Sequence, residues 1–274
     1  MKNDEAASIR YMNVRISNTG YLEIHKKISL AIRKKQPGYI CLTDVGNVIK
    51  ATKDKQLQES INGALFSVAD GTPLTWFARM AGCKRIERVS GMDLMAGFLA
   101  QMDNCKHFLL GDTVETLSKV IEKARRIKPD ISITGYSPPF KSFDDQDNRN
   151  IIEIIRRADP DIIWVSFGGG KQEKWMKQNI EKLEKGIMIG VGAAFRWFTG
   201  DIKAPPLIFQ RLGMQWFFRM LQGIRKDPRS GIRFFIERQV KKFPVFLVNF
   251  PIELVRCRKR LRQIAPVSRG KRRS

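Results

Sequence analysis

The sequence predicts an α/β fold, a Rossmann-like and mostly parallel sheet flanked by helices, with a basic helical C-terminal appendage. Three observations carry this prediction. Short apolar runs stop at glycine or acidic turns, helical patterns follow them, and the strand-turn-helix order recurs along the chain. "YICLT" reads as a strand over 39–43, with Asp44 and Gly46 opening a turn and helix. "ALFSVADGTP" gives a strand ending at Ala69, a turn at Asp70 and Gly71, and helical spacing over 74–81. "HFLLGDTVETLSKVIEKARRI" repeats the unit, with Gly111 at the strand end and Asp112 or Thr113 as the cap. "DISITGY" supplies a fourth strand ending at Tyr136, and "NIIEIIRRADPDIIWVSFGGGKQEKWM" a helix, strand, glycine turn and helix. "GIMIGVGAAFRWF" adds a last strand with Gly192 in its exit. In such sheets ligands collect at the carboxyl ends of strands, here "TDVGN", "ADGTP" and "FGGGKQE".

Composition narrows the function classes. With 274 residues, 43% of them hydrophobic, the chain can bury one core of ordinary size. Four cysteines without a CxxC pair suggest neither a zinc site nor a disulfide framework, and a reducing compartment fits. His25 and His107 are read as structural, which counts against His-based catalysis. The first residues lack the apolar core of a signal peptide, and no run of 18 or more apolar residues suggests a membrane span.

Charge is the strongest compositional feature: the net formal charge is +23, and residues 203–274 hold 19 Lys and Arg against three acids. An anionic surface is the expected partner of this C-terminal quarter. Ile208, Leu212, Trp216 and Met220 form one helical stripe, and Arg211 and Arg219 lie within roughly 80° of each other around a helix. Further on, a mostly apolar stretch between basic clusters contains Pro244 and Pro251. It is too short and interrupted to cross a bilayer but suited to its surface. The expected division is a core over 1–202, a basic amphipathic membrane-docking appendage over 203–264 and a disordered basic tail over 265–274. Interleaving of basic with apolar residues favours a lipid interface over nucleic acid as partner.

The glycine run after "DIIWVS" has two readings. Gly168, Gly169 and Gly170 can bring backbone amides up to a bound anion, or make a tight strand-to-helix turn with no ligand.

In order and spacing, "ADGTPLTWFARMAG", "RVSGMDLM", "FLLG", "GGGKQEKWM", "GVGAAF" and "LGMQWFFRML" resemble the WecG/TagA/CpsF glycosyltransferases, glycosyltransferase family 26, over about residues 10 to 235. The resemblance implies an inverting transfer of a sugar, without a DxD-bound metal or other cofactor. The donor is a nucleotide diphosphate, UDP by expectation, and the acceptor is polyprenyl-pyrophosphate-linked, at the cytoplasmic face of the plasma membrane, in bacterial surface polysaccharide assembly. A homo-oligomer is possible. Asp70 matches the family's proposed catalytic Asp in "DG.P", the base that takes the acceptor proton; the plain alternative is a helix cap or turn. Thr43 falls where the family carries a strand-end Thr near the sugar. Val45 stands where the family usually has Asn, so one polar group is missing there unless Asp44 or Asn47 supplies it. Arg88, Gly91 and Asp93 match "R..G.DL": Arg88 binds phosphate, or pairs internally with Asp93. Gly168, Gly169, Gln172 and Glu173 match "G.P.QE.W" and are expected to line the donor pocket, with Gly111, Tyr136 and Gly192 at neighbouring strand ends; Lys171 adds charge or is solvated.

Two departures stand out. Arg196 replaces the Asp expected to recognise the nucleotide base, and Gln215 replaces a Glu. Arg donates hydrogen bonds where an acid accepts them from an imide N–H, so either the two changes are linked or the donor differs. Arg211, Arg219, Arg225 and Arg229 are the candidates for the acceptor's phosphates and the anionic membrane surface. The runner-up reading is a basic membrane-surface or nucleic-acid-binding protein on the same fold with catalysis lost.

Overall fold

The apolar runs that end in glycine or acid turns form six strands of one all-parallel sheet, in the spatial order 66–69, 38–43, 187–190, 162–166, 106–111 and 132–136. The structure is a computed structural model describing residues 8–203, 215–226 and 240–264, with positions 206, 229, 232, 233 and 236. Arg211 lies outside the described residues, as do residues 265–274 and the side chains of Gln215 and Arg219.

A hairpin of β1 (Ser8–Tyr11) and β2 (Val14–Ser17) comes first. Then follow α1 (Tyr21–Arg33), β3 (Gly38–Thr43), α2 (Val45–Ala51), α3 (Lys55–Gly63), β4 (Phe66–Ala69), α4 (Thr72–Ala81) and α5 (Gly91–Gln101). The second half runs β5 (Lys106–Gly111), α6 (Val114–Ile127), β6 (Ser132–Tyr136), α7 (Asp145–Ala158), β7 (Ile162–Ser166), α8 (Lys171–Asn179), β8 (Ile187–Gly190) and α9 (Ala194–Thr199). Beyond these lie α10 (Gln215–Lys226) and α11 (Phe243–Ile264).

Helix starts are fixed by short polar side chains. Asp44, Asp54, Ser90, Thr113 and Asp144 each accept the amide three residues on, at 2.7–3.2 Å. Thr113, not Asp112, therefore caps α6, which leaves the Asp112 carboxylate for another partner.

Strand residues alternate between two cores, as the period-2 pleat requires. Ile40 and Leu42 of β3 face a cluster with α1, α5, α6 and α9, while Tyr39 and Cys41 face one with α7 and α8. A third cluster joins the hairpin, α2, α3 and α4 to Phe246 and Cys257 of α11. The hydroxyl of Tyr11 donates to the Phe246 carbonyl at 2.5 Å, and Arg258 Nη2 to the Met80 carbonyl at 2.9 Å.

α11 corrects one expectation. Pro251 does not interrupt the stretch but sits inside one continuous helix. Leu247, whose carbonyl has no helical partner at Pro251, faces outward with the proline, so the missing bond lies on the exposed side. No helix among the described residues is long and apolar enough to cross a membrane.

His107, 2% exposed on β5, illustrates the polar price of this core. Its Nδ1 accepts from Trp164 Nε1 at 3.3 Å, so Nε2 carries the proton, and among the described residues it finds no acceptor. Burial pushes the imidazole down to about 4 from 6.5. The unfolded chain therefore binds the extra proton between these values, and stability rises with pH through that window. From pH 4 to 6.5 the unfolding free energy should gain up to about 3 kcal/mol more in wild type than in His107→Gln, measured by urea titration at each pH.

Candidate active site

Because all six strands are parallel, their carboxyl ends share one edge, and nearly every predicted core site residue lies there. Across the sheet, that edge presents Asp70 after β4, Thr43 ending β3, Gly192 after β8, Gly168 and Gly169 after β7, Gly111 and Asp112 at β5, and Tyr136 ending β6.

At the β4 end, the Asp70 amide donates to the Thr43 carbonyl at 2.8 Å, extending the ladder one residue past the strand. Asp70 is half-buried, and the cap position of α4 falls to Gly71 (φ +131°). The amide of Val89 donates to the Ala69 carbonyl at 3.1 Å, which sets Arg88 beside Asp70 in the backbone. Arg88 and Asp93 do pair, loosely, at 3.7 Å, and Asp93 also takes the Ser90 hydroxyl at 2.6 Å. Thr43 is buried, with its hydroxyl 2.9 Å from that of Ser67, so it ties β3 to β4.

The glycine turn rests on a buried polar cluster. Glu173 is fully buried: Oε2 accepts the Gly170 amide at 2.6 Å, and Oε1 accepts Gln172 Nε2 at 3.1 Å and Asn47 Nδ2 at 3.4 Å. Gln172 Oε1 in turn accepts the Gly192 amide at 3.1 Å, which joins the turn after β7 to that after β8. Burial raises the pKa of Glu173, and the surrounding donors offset only part of that. Gln172 and Glu173 thus act as struts beneath the turn, while the backbone faces outward: a Cβ built at Gly168 or Gly192 meets nothing within 4 Å. Gly111 is different, since a Cβ there would lie 2.6 Å from the Ser166 carbonyl, so it serves close approach of β5 and β7.

Arg196 and Asp112 meet at the β5 end. Arg196 Nε donates to both carboxylate oxygens at 3.0 and 3.2 Å and Nη2 donates to Oδ1 at 3.0 Å. The Asp112 carboxylate raises the guanidinium's pKa. Residue spacing does not signal this pair, because a polar residue before Thr113 looks like a cap. Lys50, whose Nζ donates to the Gly169 carbonyl at 3.2 Å, is a second edge residue that the motifs miss. Of the C-terminal arginines, Arg225 and Arg229 are exposed, and no site geometry is described for Arg211 or Arg219.

Two DxD triplets do occur. Asp145-Gln146-Asp147 opens α7, where Asp147 closes a capping box with Asp144 and pairs with Lys141 at 2.8 Å. Asp159-Pro160-Asp161 precedes β7 at the opposite edge of the sheet, paired with Lys185 at 2.9 and 3.5 Å. The second lies away from the carboxyl-end edge, whereas the first is on that side of the sheet, at the start of the helix that follows β6.

This architecture matches a defined class of enzyme. The model of the "Glycosyl transferase WecG/TagA/CpsF family" matches residues 9–260, so the chain belongs to that family and is a glycosyltransferase. It is similar to the N-acetylglucosaminyldiphosphoundecaprenol N-acetyl-beta-D-mannosaminyltransferase of Bacillus subtilis (strain 168), with 27% identity over 81% of this chain and 84% of the relative. It is 26% identical to the enzyme of the same name from Staphylococcus aureus (strain MW2), over 88% of this chain and 91% of the relative.

Glu173 tests the strut reading. Glu173→Gln sets an amide donor among donors and should destabilise the fold by about 1–3 kcal/mol, read as a lower urea midpoint.

Proposed function

We propose that the protein transfers a sugar from a UDP-linked donor to a polyprenyl-pyrophosphate-linked acceptor, with inversion, during assembly of a bacterial surface polysaccharide. The observation that carries the reading is the single edge on which Asp70, the open glycine turns and the Arg196–Asp112 pair are gathered. The names of the relatives support the acceptor class: both are described as acting on N-acetylglucosaminyldiphosphoundecaprenol.

In the proposed step the Asp70 carboxylate takes the proton of the acceptor hydroxyl as its oxygen attacks the anomeric carbon from the face opposite the nucleotide. The bond from that carbon to the diphosphate oxygen breaks, and UDP leaves with the electron pair. Backbone amides of the glycine turn and Arg88 stabilise the charge growing on the diphosphate. No DxD-held metal enters this step: the triplet that opens α7 is engaged in a capping box and an ion pair with Lys141, and the one before β7 is ion-paired at the opposite edge of the sheet.

The acceptor's lipid explains the exposed face of α11. Val245, Leu247, Val248, Ile252 and Val255 point outward, and Arg258, Lys259, Arg260 and Arg262 lie exposed toward the helix end. Trp76 and Met80 of α4 are exposed too, on the helix that packs beside α11 and starts at Gly71. Apolar side chains rimmed by cations suit an anionic bilayer surface on the cytoplasmic side, with Arg225 and Arg229 as further phosphate ligands. The surface that holds the lipid thereby adjoins the end of the sheet that holds Asp70.

Two outcomes follow. Asp70→Asn should lower kcat by about 10²- to 10⁴-fold while UDP affinity by calorimetry changes little; loss of UDP binding with unchanged turnover of bound donor would refute the base assignment. Full-length protein should sediment with anionic vesicles and be released by salt, Val248→Glu (71% exposed in wild type) should weaken that binding, and duplex DNA should not compete.

A further inference from the structure

The short helix α2 lies between two parts of the molecule. One face, with Val45, Val48 and Ala51, packs in the cluster that holds Phe243 and Phe246 of α11. Another carries Asn47 and Lys50, one turn apart, and both reach the glycine turn after β7, two positions along the sheet from β3. The approach is close: a Cβ at Gly169 would lie 2.7 Å from Asn47 Oδ1. A glycine at 169 is what lets α2 come near enough to serve the turn.

These contacts hold one peptide plane. The Gly169 carbonyl accepts Lys50 Nζ at 3.2 Å, and the Gly170 amide, in the same peptide unit, donates to Glu173 Oε2 at 2.6 Å. The N–H thus turns toward the buried carboxylate and the carbonyl toward Lys50, which is exposed. A bare carbonyl next to the open backbone of Gly168 would repel a bound anion. The ammonium covers it and reverses the sign of the local charge.

The acids of this neighbourhood are committed to other groups. Asp44 accepts the Asn47 amide, Asp54 caps α3 and pairs with Lys174, and Glu59 pairs with Lys177 at 3.4 Å. Glu173 is buried among its own donors. Among the described residues no carboxylate pairs with Lys50, whose partner is the neutral Gly169 carbonyl. An ammonium has three N–H groups, so two remain for a ligand.

We propose that Lys50 is a ligand of the donor's diphosphate, held in place by the Gly169 carbonyl and giving its two remaining N–H groups to phosphate oxygens. This rests on the donor reading above. A diphosphate over the turn then meets a full positive charge as well as backbone amides, where the leaving group gathers negative charge. Lys50 stands on a different face of α2 from the one that packs toward α11, which separates it from the cations assigned to the acceptor and the membrane.

The test is calorimetric titration of the full chain with UDP. Lys50→Met should weaken binding about tenfold at low salt, and Lys50→Arg, which keeps a charged donor, should restore most of it. Salt distinguishes a phosphate contact from mere support of the turn: raising the ionic strength to about 0.5 M should close most of the gap between wild type and Lys50→Met. Thermal unfolding checks each fold, and if Lys50→Met does not fold, Lys50→Gln, whose amide still donates to the Gly169 carbonyl, should show the same salt-dependent loss. Unchanged affinity in the folded variant, or a loss by the same factor at every salt concentration, overturns the assignment. UDP binding by wild type in either case leaves the donor reading standing; no UDP binding by wild type overturns both.

Discussion

The rest of the molecule depends on the parallel order of six strands. A parallel sheet cannot be closed by hairpins, so each strand requires a crossover, and the crossovers cover both faces with helices. The same constraint sends every strand exit to one edge. Six short turns, scattered through the sequence from Thr43 to Gly192, become neighbours along that edge. The site is thus a consequence of strand direction before it is a matter of particular side chains.

Beneath that edge, buried polar groups carry out the positioning. Glu173, Gln172 and Asn47 join the turns after β3, β7 and β8, and Thr43 with Ser67 joins β3 to β4. A buried network of this kind is costly unless its members are satisfied, and here each named group has partners. Rigid support from below leaves the backbone at Gly168 facing open space.

Strand ends were legible in the sequence because glycines and acids punctuate the apolar runs, and Asp70 was legible because a turn and a proline-bearing helix start follow it at once. Burial was not. A Gln-Glu pair after three glycines looks like ligand chemistry, and nothing in its neighbours reveals that both side chains turn inward. The hairpin was hidden for a local reason: its turn residues Met12 and Asn13 both adopt positive φ, where Asn-Gly would have announced it. The Arg196–Asp112 pair joins residues 84 positions apart, beyond the reach of any spacing argument. Pro251 looked like a break because a proline inside a helix forfeits a bond, yet on the outer side of α11 that forfeit is tolerated.

Tyr11 and Phe246 are 235 positions apart, and Cys257 Sγ donates to the Arg10 carbonyl across 247. During synthesis the hairpin emerges early, but the helix that completes its cluster emerges more than two hundred residues later. Until then Tyr11 and Phe77, stacked edge-on at 4.5 Å in the finished fold, lack their cover. Assembly of the core and creation of the basic apolar face are therefore one late event. A nascent chain has no such face to offer before all six strands of the sheet have been made.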